Sequence, residues 1–117
     1  MSCLFDSLGY FVKDSSHNIR NKICDYLQDG GALIDGLDTK FVLEMEHPTY
    51  INNMRNLNMM GGAIEIQSAC NIWNLKIIVM NLRNGENSEI EFLPQNGLHD
   101  KTIVLEWTGG HYEPKRA

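Results

Sequence analysis

At 117 residues, 43% of them hydrophobic, with a formal net charge of −5, the chain suits one domain spanning residues 1–117 and is too apolar for disorder. The acidic balance, without a basic patch, speaks against a nucleic-acid partner, and no apolar run approaches the roughly 18 residues that a membrane span requires. Three cysteines, Cys3, Cys24 and Cys70, lack CxxC spacing and form neither a disulfide framework nor a zinc site, so a soluble cytoplasmic monomer with reduced thiols and no metal is expected.

In chain order, Leu4, Leu8, Phe11 and Val12 recur at helical spacing and predict a helix from Cys3 to about Lys13, interrupted at Asp14-Ser15-Ser16. Ser15 or Ser16 is placed to cap a second helix. That helix carries Ile19, Ile23 and Leu27 on one face, with Tyr26 beside them. Arg20, Lys22 and Asp25 are expected to face water, and Cys24 to sit off the stripe as a structural residue. His17, near the helix start, reads as a solvated residue. Asp29-Gly30-Gly31 stops the helix. Short helices are expected over 32–46, where Glu44 and Glu46 read as a solvated face. Pro48 suits the first turn of another helix, with Tyr50, Ile51 and Met54 as its apolar stripe. His47 has no second His or Cys at ligand spacing.

A loop through Met59-Met60-Gly61-Gly62 leads into a helix from about Ala63 to Asn74, with Ile66, Ala69, Cys70 and Trp73 on one side. Leu75 to Met80 is β-rich and predicts a central strand. Asn84-Gly85 is a hairpin signal. Glu89-Ile90-Glu91-Phe92 alternates as a half-buried strand. Pro94 to Asp100 reads as loop, and Thr102 to Trp107 as a last strong strand. Helices followed by a small central sheet with helices packed around it make the fold class α+β.

Two places carry chemistry. Cys3 stands at a helix start, where unpaired N–H groups and the positive dipole end favour a thiolate. Most cysteines in such positions are only small apolar residues. The second place is Gly109-Gly110-His111-Tyr112-Glu113. In an extended segment, residues two apart share a side, so Glu113 can orient His111 and His111 can take a proton from Cys3.

Ser2-Cys3-Leu4-Phe5, then Tyr50 and Met54, Gly61-Gly62, Glu65-Ile66 and Ala69, then Ile77 and Val79, and finally His111-Tyr112-Glu113 resemble, in order and spacing, the ovarian tumour (OTU) family of cysteine proteases. These are mostly deubiquitinases, and the resemblance covers nearly the whole chain. It implies a papain-like fold, a size similar to compact viral members, no cofactor, and ubiquitin or a ubiquitin-like modifier as partner. It implies Cys3 as nucleophile and His111 as general base. The family's third residue is an Asp or Asn two residues after the histidine, an upstream acidic residue, or both; Glu113 stands at the first of these places and would orient the histidine. The family's Asp and Gly ahead of the cysteine loop are absent, so the oxyanion donors implied are the backbone N–H groups of Cys3 and Ser2. Tyr112, Gly110, Met60 and Gly61 would line the channel for ubiquitin's Gly-Gly tail, with Met60 where a tryptophan is common. The activity implied is hydrolysis of the isopeptide bond after that tail. The alternative is an OTU-like module that binds ubiquitin and cleaves it little, because its oxyanion loop is incomplete.

Overall fold

The computed structural model describes residues 3–31, 49–56, 61–82, 88–95, 97–109 and 111–115. Helix α1 (Cys3–Val12) and helix α2 (Ser16–Gln28) are followed by the short α3 (Tyr50–Met54) and by α4 (Ala63–Trp73). Strands β1 (Leu75–Asn81), β2 (Ser88–Phe92), β3 (Lys101–Trp107) and β4 (Tyr112–Pro114) complete the order. They form one mixed sheet in the order β2-β1-β3-β4. β1 pairs antiparallel with β2 and parallel with β3, and β3 pairs antiparallel with β4. The expected α+β class and the central position of β1 are observed. The expected short helices of 32–46 and the Asn84-Gly85 turn lie outside the described residues, as do His47 and Pro48.

The corners follow from local chemistry. Lys13 adopts the left-handed conformation, φ 60, and ends α1. The Asp14 N–H donates to the Gly9 carbonyl. A Cβ on Gly9 would collide with the Asp14 carbonyl, so glycine is required there despite its cost to the helix. The Ser15 hydroxyl then accepts from the Asn18 N–H at 3.1 Å and caps α2. At the end of α4, Asn74 takes the left-handed cap position, φ 52, a role that asparagine tolerates.

The core lies between the helices and one sheet face. Leu75, Ile77 and Val79 of β1 and Ile103 and Leu105 of β3 alternate inward. They meet a layer built from Leu4, Phe5, Leu8, Ile19, Ile23, Leu27, Ile66 and Ala69.

Three expectations are corrected. Arg20 does not face water; it is 1% exposed. α2 packs against α1, α3 and α4 at once, so more than one stripe of it is covered. The guanidinium lies 4.2 Å from the Phe5 ring centroid, and its Nη1 donates to the Met54 carbonyl at 2.7 Å. Cys24, one turn further on, is fully buried for the same reason, inside the covered face and not off it, in keeping with the structural character expected of it. β2 is not half-buried: Ser88 to Glu91 are exposed and only Phe92 is partly covered. It is the edge strand beyond β1, at the margin of the helical layer.

A second buried ionisable group was not anticipated. Glu65 is 1% exposed; its carboxylate accepts from the Tyr50 hydroxyl at 2.6 Å and from the Gly62 N–H at 2.7 Å. The glutamate thereby caps α4 from its first turn and ties it to α3. Burial pushes the Glu65 carboxyl above its ordinary pKa; the Tyr50 and Gly62 hydrogen bonds and the charge of Arg20 oppose that rise. Glu65→Gln presents one acceptor oxygen to two donors, and should lower stability by about 1–3 kcal/mol, read from the urea midpoint at unchanged m-value. A raised folded-state pKa favours the protonated carboxyl. The contribution of Glu65 is therefore fullest below its unfolded value, 4.5, and declines as pH rises through the raised one. The parent should exceed the variant by more at pH 4 than at pH 7.

Candidate active site

Cys3 is the first residue of α1 and is partly exposed, whereas Cys24 and Cys70 are buried. Burial pushes the Cys24 thiol up to about 11 and the Cys70 thiol up to about 12. Both stay protonated and shielded, which leaves Cys3 as the thiol within reach of a substrate. Cys3 is held in place by the next turn of its own helix. Leu4, Phe5 and Leu8 are at most 1% exposed and lock that turn into the core.

Gly61 sits against the same turn. A Cβ there would lie 2.6 Å from Leu4 Cδ2 and 3.0 Å from Phe5 Cζ, so the loop ahead of α4 approaches α1 more closely than any side chain allows. Gly61→Ala should cost about 1–3 kcal/mol through overpacking, seen as a lower thermal midpoint. It should also slow alkylation of Cys3, because the displaced side chains belong to the two residues that follow it.

The histidine arrives from the other end of the chain. β3 ends at Trp107, and Gly109 turns the backbone at φ 107, a region glycine enters without strain. The Thr108 N–H then donates to the His111 carbonyl at 3.1 Å. β4 follows as the far edge of the sheet and packs along α1. His111 Nε2 lies 3.3 Å from Glu113 Oε1, with side chains 52% and 65% exposed. The extended geometry thus places residues 111 and 113 on one side, as their spacing predicts. With Nε2 turned to the carboxylate, Nδ1 is the ring nitrogen left for proton exchange with a thiol.

Tyr112, between them, is partly buried, its ring centroid 6.3 Å from that of Trp107. Its hydroxyl is pushed above the ordinary range first by burial, then by the negative charges of Cys3 and Glu65. β4, which begins with Tyr112, packs along α1, the helix that Cys3 begins. Ser7, buried in α1, closes the same gap: its hydroxyl donates to the Cys3 carbonyl at 2.8 Å and lies 3.3 Å from the Tyr112 carbonyl.

The expected site residues thus divide. Cys3, Gly61, His111, Tyr112 and Glu113 lie on α1, the loop before α4, and the β3–β4 turn and strand. α1 is the element both other segments touch. Ser2, Met60 and Gly110 lie outside the described residues. Among the described residues, no group of three His, Cys, Asp or Glu is placed to hold a metal ion, and no helix is long and apolar enough to cross a membrane. Sequence reasoning missed Ser7, whose only signal is its place one turn after Cys3, and the buried Glu65, whose signal is its position three residues after Gly62.

A family model described as OTU-like cysteine protease matches residues 2–113. A comparison of the sequence with curated proteins finds no match. Among solved structures, the chain is similar to the viral OTU domain protease from Dera Ghazi Khan virus. That match has 21% identity and a TM-score of 0.74, covering 97% of this chain and 72% of the other. It is also similar to an OTU deubiquitinase from Wolbachia pipientis wMel solved bound to ubiquitin. There the identity is 16% and the TM-score 0.65, covering 97% of this chain and 88% of the other.

Proposed function

Because the chain belongs to the OTU-like cysteine protease family, we propose that it is a deubiquitinase. Its reaction is cysteine-dependent hydrolysis of the isopeptide bond after the C-terminal Gly-Gly of ubiquitin or a ubiquitin-like modifier. The observation that carries this reading is that β4, which follows His111 and holds its partner carboxylate Glu113, packs along α1, the helix that begins with the accessible thiol.

The reaction is acyl transfer. The Cys3 thiolate attacks the carbonyl carbon of the last glycine and forms a tetrahedral oxyanion. The backbone N–H of Cys3, at the start of α1, is the donor offered to that charge, with that of Ser2, outside the described residues, as the second the resemblance implies. Collapse breaks the C–N bond, and His111 gives its proton to the departing lysine amine. A thioester on Cys3 remains. His111 then takes a proton from water, hydroxide adds to the thioester carbonyl, and the thiolate leaves. Glu113 holds the imidazole in orientation and stabilises its charged form without taking the proton. In this reading Tyr112 and Gly61 flank the path of the Gly-Gly tail; Gly110 and Met60, which the resemblance adds, lie outside the described residues. A ubiquitin-bound relative of the same fold supports ubiquitin as the partner.

The test is ubiquitin carrying a cysteine-reactive warhead at its C-terminus, offered beside a panel of ubiquitin-like probes. A covalent adduct mapped to Cys3 is expected. Reversible binding without an adduct would favour the binding module, and absence of both would overturn the reading.

A further inference from the structure

Ser7 is 2% exposed and lies on α1 one turn after Cys3. Its hydroxyl donates to the Cys3 carbonyl at 2.8 Å, the i−4 back-bond that serine makes within helices. The same proton is shared with the Tyr112 carbonyl at 3.3 Å, which makes a three-centre hydrogen bond to the two carbonyls. This carbonyl points away from the sheet. The His111 carbonyl accepts from Thr108, the Lys115 N–H donates to the Val104 carbonyl, and Glu106 stands opposite Glu113. Residues 111, 113 and 115 therefore turn their backbone groups toward β3, and residues 112 and 114 turn theirs to the open edge. Pro114, lacking an N–H, suits that outward position. The Tyr112 carbonyl thus has no acceptor role within the sheet, and a buried hydroxyl of α1 meets it.

We propose that Ser7 is the positioning residue of this site, whose hydroxyl clamps α1 to the outer edge of β4 and so sets the spacing between Cys3 and the His111–Glu113 pair. One end of the clamp is the carbonyl of the nucleophile itself; the other is the carbonyl of the residue joining the base to its orienting carboxylate. The inference rests on the function proposed above. Ser7 touches neither substrate nor the reacting atoms and acts through the two carbonyls it bridges.

Ser68 supplies an internal control. It is 0% exposed, and its hydroxyl makes the same back-bond, to the Ile64 carbonyl at 2.8 Å within α4. Ser7→Ala and Ser68→Ala remove the same back-bond, and Ser7→Ala removes the contact to Tyr112 as well, so the thermal midpoint should fall in both and further in Ser7→Ala. Only Ser7→Ala should lower kcat on a ubiquitin C-terminal fluorogenic substrate, by about 10- to 100-fold, as misplacement of about 1 Å does, with KM changed less than about threefold. The rate at which iodoacetamide alkylates Cys3 at neutral pH should fall severalfold in Ser7→Ala and stay at the parent value in Ser68→Ala. Ser7→Thr, which keeps a hydroxyl able to reach the same carbonyls, should recover most of the lost kcat.

A kcat within twofold of the parent for Ser7→Ala, or equal losses in both alanine variants, would overturn the proposal. A parent that turns over no ubiquitin-type substrate would overturn the proposed function instead. In that case the alkylation rates decide on Ser7 alone: a loss confined to Ser7→Ala upholds the clamp, and equal rates refute it.

Discussion

Cys3→Ala is expected to abolish cleavage of a ubiquitin dimer, while Cys24→Ala and Cys70→Ser keep the chemistry. The three thiols differ in access and ionisation. Cys24 and Cys70 lie in the core, their thiols pushed up to about 11 and about 12 by burial, so neither offers a thiolate at neutral pH. Cys3 is partly exposed at the start of α1. Removal of a covalent nucleophile should lower kcat by about 10⁴-fold or more. Cys3→Ser is expected to be nearly as inactive, because a serine hydroxyl ionises far less readily than a thiol. The two core variants should instead lose about 1–2 kcal/mol of stability. Cys70→Ser should lose the more, because the thiol now donates to the Phe92 carbonyl at 3.5 Å and the shorter C–O bond of serine draws its hydroxyl back from that acceptor. Turnover per folded molecule, with the thermal midpoint measured alongside, separates the two kinds of loss. A Cys3→Ala protein that cleaves at the parent rate would refute the assignment of the nucleophile.

His111→Ala should remove nearly all activity, about 10³-fold or more, and Glu113→Ala about 10- to 100-fold. The difference follows from the proposed roles, in which the imidazole moves the proton twice per turnover and the carboxylate only holds the ring in place. A cysteine nucleophile also depends less on the third residue than a serine does, since its thiol ionises more readily. Neither variant should unfold the protein. The pair is 3.3 Å apart with both side chains more than half exposed, and exposed ion pairs add little to stability. The same exposure gives a second signature, because salt screens charges that water reaches. Parent activity should therefore fall more steeply with ionic strength than that of Glu113→Ala. Identical salt profiles and identical kcat for the two proteins would show that another group orients His111.

Much of this was legible in the chain itself. The limits of α1, α2 and α4 follow from local signals: Lys13 and Asp14 at one corner, the Ser15 cap, the glycines at 30 and 31, and Asn74 after the last helix. The β-rich runs that became β1 and β3 were equally plain, and the pairing of His111 with Glu113 needs only that residues two apart share a side of an extended segment. Each of these is decided by neighbours within a few positions along the chain, which is the range over which a sequence pattern speaks. The burial of Arg20 and Cys24 was decided otherwise. Periodicity locates the centre of an apolar stripe, but how wide a stripe is covered depends on how many elements pack around the helix, and α2 has three. The exposure of β2 follows from its place at the sheet edge, although its alternation is that of a half-buried strand. The parallel register of β1 on β3 and the meeting of Ser7 with the Tyr112 carbonyl, 105 residues away in the chain, are long-range contacts with no local signature. They exist because burying the apolar faces brings these segments together, and only the assembled tertiary structure determines which polar groups then come to face one another.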